Sequence, residues 1–307
     1  MLVTNKELLV NAQRGAYAVG AFNIQNLESL RAVVEAAVEE LSPVIIAITP
    51  SAIKYAGLEY LATLVKKAAD LSPIPMSLHL DHGTDIETII KCIDAGFTSV
   101  MIDGSHLPFK ENVCLTRRVV ELAHPRGVSV EGELGRLAGI EEKAIVEREA
   151  ILTDPEEASE FVKLTGVDAL AISIGTSHGA YKFKGEPQLD FERLRLIREK
   201  VNVPLVLHGA SSVPQWIIEK ATKYGAKLEG AKGIPEEHIR LAISMGITKI
   251  NIDTDLRLAF TAAIREVLMT SPEEFDPRKI LGPAVKAMKD VVKEKIRLFG
   301  SYGKGGL

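Results

Sequence analysis

The chain has 307 residues, 46% of them hydrophobic and 25% charged, an ordinary globular balance with ample apolar material for one large core. Its formal net charge of −4, with lysines and arginines dispersed, excludes the basic footprint of a nucleic-acid-binding protein. No run of about 18 apolar residues occurs, which excludes a membrane-spanning helix.

The start, MLVTNKELLVNAQRG, carries charges throughout and lacks the apolar core and cleavage site of a signal peptide, so a cytoplasmic protein is expected. The run AVGAFNI (18–24) then opens a series of short apolar stretches ending in polar or glycine residues. An amphipathic segment, 26–41, follows it, with Leu27, Leu30, Val34, Ala37, Val38 and Leu41 expected on one buried stripe. PVIIAIT (43–49) and PMSLHLD (75–81) come next, and Asp85 stands as N-cap before IETIIKCIDAG, which Gly96 closes. SVMIDG (99–104) and SVEGELG (129–135) continue the series. After the fifth run, residues 136–153 are long and highly charged, the mark of an active-site lid. DALAISIG (168–175), PLVLHG (204–209) and ITKINID (247–253) complete it, with Asp190 capping one intervening helix and Gly225 ending another. Residues 271–307 add a Pro-rich connection and a last amphipathic helix, PAVKAMKDVVKEKIRLFG, which either covers the fold or serves an oligomer contact.

Runs that are apolar at nearly every position read as strands covered on both faces, the property of a parallel sheet. Eight such strands alternating with helices close most simply into a (β/α)₈ TIM barrel, here one domain over residues 1–307. A doubly wound open sheet is the alternative, but it calls for a GxGxxG turn after an early strand, and none is present. Cys92 and Cys114 lie in helical patterns without metal-site spacing and are expected as two buried thiols. Scarce Asn and Gln beside abundant Glu, Lys and Arg suit a heat-adapted protein, which a melting midpoint of about 50 °C would contradict.

Of seven histidines, three immediately precede glycine at the ends of strands three, six and seven: His82, His178 and His208. In a barrel those ends converge on the active-site rim, and three imidazoles there make a divalent-metal site with a position open for substrate. The following glycines are expected to let the backbone turn sharply. A lone structural histidine is the alternative for each one, and His79, His106, His124 and His238 are read that way. Asp81 precedes His82 and serves either as anchor of that ligand or as an acid/base group facing substrate. Glu131 and Glu133, at alternate positions of strand five, point into the barrel mouth. A salt bridge to lysine or arginine is the simplest reading of each, while near a metal Glu133, like Asp103 at the end of strand four, becomes an alternate ligand.

HGASS (208–212) after strand seven and NIDTDLR (251–257) after strand eight occupy the loops where this fold commonly holds phosphate, with Asp253 or Thr254 as the next helix cap. A plain turn and cap is the alternative. Arg257, Arg278, Lys182 and Lys184 are nearby cations able to hold a second phosphate.

In their order along the chain, LDHG, MIDGSHLPF, EGELG, SIGTSHGAYKF, LHGASS and NIDTDLR resemble the class II fructose-1,6-bisphosphate aldolases. The resemblance runs from AFNIQN at strand one to DPRKILGPA near the end. It implies reversible cleavage of fructose 1,6-bisphosphate, a glycolytic reaction, to dihydroxyacetone phosphate and glyceraldehyde 3-phosphate through an enediolate. It also implies that His82, His178 and His208 bind zinc, or cobalt in heat-adapted members, and that Asp81 exchanges a proton with the C4 hydroxyl. A glutamate on the loop after strand five handles the C3 proton: Glu141, with Glu142 as the alternative. Gly179, Lys182, Gly209, Ser211, Asp253 and Thr254 resemble the dihydroxyacetone-phosphate site. Asn23 and Asn251 resemble contacts to the reacting portion, and Ser51 and Arg278 contacts to the aldehyde half. The resemblance further implies a potassium or sodium ion near the phosphate loop and a homodimer or homotetramer in which Arg257 reaches a neighbouring subunit's phosphate.

The related tagatose-bisphosphate aldolases share this metal site, although NIDTDLR looks more like the fructose branch. A Schiff-base aldolase would use an inward lysine, and Lys249 has the same parity as Asn251 and Asp253, yet that mechanism leaves the three histidines without a task. A metal-dependent hydrolase would show an early HxH motif, and His79 and His82 have the wrong spacing for it. A non-enzymatic binding barrel gives the proton-transfer carboxylates nothing to do.

Overall fold

A computed structural model describes residues 1–136, 138–139, 151–178, 189–228 and 232–306, with only the backbone of Ala138, Gly139 and His178. The strands are β1 (Val19–Asn23), β2 (Val44–Ile48), β3 (Met76–Gly83), β4 (Ser99–Ile102), β5 (Ser129–Leu134), β6 (Ala138–Gly139), β7 (Ala169–Ile172), β8 (Ser177–His178), β9 (Leu205–Leu207) and β10 (Ile247–Ile252). Eight of them close into a parallel barrel in the order β1-β10-β9-β7-β5-β4-β3-β2, the architecture expected of the eight apolar runs. The two short strands β6 and β8 pair with each other beside it.

Strand parity explains why these runs are apolar throughout. On β2, Val44, Ile46 and Ile48 pack outward into the layer between sheet and helices, while Ile45 points inward. Inside the barrel Ile45 meets Val19, Ala21, Met101, Ala169, Ala171 and Val206, and Leu8, Leu9 and Ala12 of the helix Asn5–Gly15 join that inner cluster. A capping box sets the start of this helix: Thr4 accepts from Glu7 N while the Glu7 side chain accepts from Thr4 N. Asp85 and Asp190 cap their helices as expected, accepting from Thr88 N and Arg193 N. Gly96 and Gly225 take the left-handed conformations of helix ends.

Three expectations need correction. In the helix Leu27–Glu39 the buried side is Leu30, Ala32, Val33, Ala36 and Ala37, whereas Leu27 and Leu41 are exposed. The segment is apolar over so wide an arc that its period leaves the centre of the stripe undetermined. Only Cys92 is buried; Cys114 is exposed, because the helix Phe109–Ala123 turns Asn112, Thr116, Val119 and Val120 inward instead. The last helix starts at Pro277, capped by Asp276, and carries Pro283 inside it. It covers the barrel's helical layer, burying Val291, Val292, Ile296 and Phe299 against the helices Leu27–Glu39 and Thr254–Thr270.

Candidate active site

The inward parity that packs Ile45 and Val206 lower in the barrel places polar residues nearer its C-terminal rim. His79 and Asp81 of β3, Glu131 and Glu133 of β5, and Lys249 and Asn251 of β10 are all buried. Register aligns β10 with β1, pairing Lys249 with Val19 and Asn251 with Ala21. Asn23, at the end of β1, and Asn251 then reach the same acid from two sides: their Nδ2 groups donate to the two oxygens of Asp81 at 2.7 and 2.8 Å. Burial works to raise the Asp81 carboxyl, but His82, His208 and Lys249 outweigh it and bring it down to about 2. Asp81 is therefore an anion fixed in orientation by two amides, the form that accepts a proton.

His82 and His208 lie side by side with ring centroids 4.6 Å apart. His82 itself adopts φ +52°, a left-handed conformation rare for a residue with a side chain and typical of functional sites. The turn expected at the next glycine is thus made by the histidine, and Gly83 serves close approach: a Cβ there would sit 2.7 Å from the Met101 carbonyl oxygen. Gly209 does fulfil its expectation, with φ +62° and a Cβ position 2.6 Å from Ser177 O. Among the described residues, Asp81, His82 and His208 form one set of possible metal-donor atoms, all within 4.8 Å of one another, and His82, Asp103 and Glu133 form a second. Asp103 Oδ2 lies 3.4 Å and Glu133 Oε2 3.9 Å from His82 Nδ1. Imidazole and carboxylate donors of this kind fit a divalent zinc-type ion. The backbone of His178 follows Ser177 on β8, but its side chain lies outside the described residues, as do Gly179, Lys182, Lys184, Glu141, Glu142 and most of the 136–153 segment.

Beneath the rim runs a connection that the sequence leaves hidden. Glu131 accepts from His208 Nε2 at 2.8 Å and from Lys249 Nζ at 2.7 Å. Lys249 Nζ also lies 3.2 Å from His79 Nε2, and His79 Nδ1 meets Asn5 Nδ2 and Ser99 Oγ. Burial opposes the Glu131 carboxylate, but Lys249 and the His208 hydrogen bond more than offset it and hold the group well below the usual range. Burial, then Lys249, pushes His79 down to about 3, so its imidazole is neutral. The salt bridge foreseen for Glu131 thus has Lys249 as its partner. His79 is structural, and the traces of this network along the chain are the shared inward parities of His79 with Asp81, of Glu131 with Glu133 and of Lys249 with Asn251.

In the two phosphate-type loops, Ser211 is buried and its carbonyl accepts from Ile234 N, while Thr254 opens the helix Thr254–Thr270. Asp253 stands at the N-cap position without a capping hydrogen bond, its side chain turned instead to Arg257 at 2.8 Å. Arg257, Asn23, Thr49, Ser51 and Tyr55 line a cavity of about 250 Å³, in which Ser51 Oγ meets Thr49 Oγ1. Arg278 is exposed and folded onto its own helix cap, Asp276.

A closed (β/α)₈ barrel that gathers an oriented carboxylate, two imidazoles and further acids on its C-terminal rim has the architecture of a barrel enzyme whose donors suit a divalent metal. The sequence model described as "Fructose-bisphosphate aldolase class-II" matches residues 3–228 and 226–304. The chain is 54% identical to a fructose-bisphosphate aldolase of Thermus caldophilus over 305 residues, covering 99% of this chain and 100% of that one. It is 51% identical to one of Helicobacter pylori over 306 residues, again covering 99% and 100%. Among solved structures, the YdjI aldolase of Escherichia coli K12 matches with a TM-score of 0.83 and 36% identity, covering 99% of this chain and 100% of that one. The chain belongs to the class II fructose-bisphosphate aldolase family, a metal-dependent family of lyases.

Proposed function

We propose that this protein cleaves fructose 1,6-bisphosphate reversibly into dihydroxyacetone phosphate and glyceraldehyde 3-phosphate, working as one barrel domain. The observation that carries the reading is Asp81, ionised and held by Asn23 and Asn251 beside His82 and His208 at the rim. In the cleavage direction Asp81 takes the C4 hydroxyl proton, C4 becomes the aldehyde carbon, and the electrons of the C3–C4 bond pass to the ketone half. Glu141, or Glu142, returns a proton to C3 to complete dihydroxyacetone phosphate. His82, His178 and His208 would hold zinc or cobalt, with Asp103 and Glu133 beside His82 as alternate donors. Because Glu131 takes the Nε2 side of His208, that residue would bind through Nδ1. The bound ion supplies Lewis-acid stabilisation of the charge that develops on the ketone half, worth several kcal/mol.

Gly179, Lys182, Gly209, Ser211, Asp253 and Thr254 hold the dihydroxyacetone-phosphate end in this reading, with a potassium or sodium ion nearby. Ser51 and Arg278 serve the other phosphate, and Arg257 reaches that of a neighbouring subunit; within this chain Arg257 lines one cavity with Ser51 and Asn23. A cytoplasmic, heat-adapted homodimer or homotetramer completes the proposal. The test is cleavage of fructose 1,6-bisphosphate before and after exhaustive chelation, with zinc or cobalt add-back. Loss on chelation and recovery with metal support the reading. Activity that survives metal removal and is abolished by borohydride with substrate would overturn it in favour of a lysine mechanism.

A further inference from the structure

A second buried lysine lies outside the donor cluster, and neither the fold nor the cleavage chemistry above accounts for it. Lys295 sits on the last helix, Pro277–Phe299, with its side chain 1% exposed. An ammonium so far from water is stable only when paired and hydrogen-bonded. Its Nζ lies 3.1 Å from Asp255 Oδ2, itself fully buried, and donates to the Ser212 hydroxyl. Asp255 in turn grips the backbone of the loop after β9: Oδ2 accepts from Ser212 N at 3.2 Å and Oδ1 from Val213 N at 2.9 Å. At Val213 the chain takes φ +48°, a conformation that a β-branched residue adopts only when its surroundings impose it. The loop's other side is closed by Gly233, where a Cβ would come within 2.2 Å of the Ser212 carbonyl carbon.

We propose that Lys295 and Asp255 are positioning residues for substrate phosphate: they set the direction of the chain at 211–213 and thereby the face that Gly209 and Ser211 present. Neither touches substrate. The last helix thus acts on the active site through one buried ion pair, in addition to covering the barrel. This rests on the reading above, that the loop 208–212 receives the phosphate of dihydroxyacetone phosphate. A helix that only needed covering surface would place an apolar residue at 295, since replacing a buried ion pair by apolar groups is often neutral or stabilising.

The test compares Lys295→Met, the charge-free pair Lys295→Met/Asp255→Asn, and Lys289→Met, a control on the same helix. KM and kcat for fructose 1,6-bisphosphate, inhibition by dihydroxyacetone phosphate, bound metal and melting temperature are measured for each. Displacing the loop should raise KM and weaken inhibition by about tenfold to a hundredfold, with kcat less affected and bound metal unchanged. Lys289→Met should match the parent in KM. A purely structural pair would lower the melting temperature and leave KM and inhibition alone, and that result overturns the proposal. Should both charge variants fail to fold, Ser212→Ala removes only the hydroxyl that receives Lys295, and unchanged KM and inhibition there would overturn it equally. If the parent itself does not cleave fructose 1,6-bisphosphate, the functional reading fails first; binding of dihydroxyacetone phosphate still reports on the loop.

Discussion

Replacing Lys249 by methionine keeps the side chain's length and removes its charge from the middle of the barrel. Lys249 Nζ lies 2.7 Å from Glu131 Oε2, and neither residue is reached by solvent. In the variant the Glu131 carboxylate stays buried with only imidazoles beside it, and breaking one side of such a pair costs about 3–5 kcal/mol. With a urea m-value of about 3 kcal/mol/M or more for a chain of this size, the unfolding midpoint should fall by about 1 M. Adding Glu131→Gln removes the stranded charge yet keeps an acceptor for His208 Nε2, so the double variant should regain more than half of the loss. Urea titration followed by fluorescence and by circular dichroism reads both. An unchanged midpoint in Lys249→Met would refute the reasoning, as would a double variant less stable than the single one. Trapping of substrate on Lys249 by borohydride in the parent would refute it chemically, because a lysine engaged by Glu131 and His79 has no role as a Schiff-base nucleophile.

Asp81→Ala should lower kcat by roughly 10²–10⁴-fold while bound metal, read by atomic absorption, stays in place; loss of metal would make Asp81 a ligand instead of a base. Gly209→Ala puts a methyl 2.6 Å from Ser177 O at φ +62°, so thermal unfolding should show a loss of about 1–3 kcal/mol, with a raised KM; a neutral outcome would mean the loop yields freely. Hydrogen bonds from Lys289 and then Lys293 bring Glu39 down to about 2 from an ordinary 4.5, so this clasp stabilises above 4.5 and is lost as pH falls toward 2. Glu39 is half exposed, so the gain is no more than about 0.5 kcal/mol. The midpoint difference between the parent and Glu39→Gln should accordingly be small at neutral pH and vanish near pH 2; a difference that grows in acid would contradict the sign.

The eight barrel strands were legible in the sequence because most are apolar at nearly every position, and a strand such as VIIAI can satisfy that only between helices and barrel interior. Asp81 and His82 were legible for a related reason: polar residues that end an apolar run must sit at a rim. What stayed hidden depends on register and closure. Parity turned Glu131, His79 and Lys249 inward, but only the closed barrel brings β3, β5 and β10 within hydrogen-bond reach. Lys295 reads along the chain as one more charge on a lysine-rich helix, and although its spacing from Val291, Val292 and Phe299 puts it on the buried face, opposite exposed Lys286, nothing along the chain names the carboxylate that pairs with it. The exposed Cys114 and Leu27 show the converse: an apolar residue in a helical pattern is buried only if the helix rotates that way.

The two buried lysines converge on one short loop, and strand length explains the need for them. β9 spans only Leu205–Leu207, so few ladder hydrogen bonds fix how the chain leaves the barrel toward His208 and Ser211. In their proposed roles as metal ligand and phosphate contact, both residues require placement finer than a three-residue strand provides. Lys249 acts from within the barrel, holding Glu131, which holds the His208 ring; Lys295 acts from the helical layer, holding Asp255, which holds the backbone at Ser212 and Val213. Each chain of contacts uses a carboxylate as its middle member, because one carboxylate can accept from a lysine and from a second donor at once. The cost of burying four charges is borne where orientation matters most, and it leaves the two anchors separable: changes at Lys249 bear on how His208 is held, and changes at Lys295 on how phosphate is met.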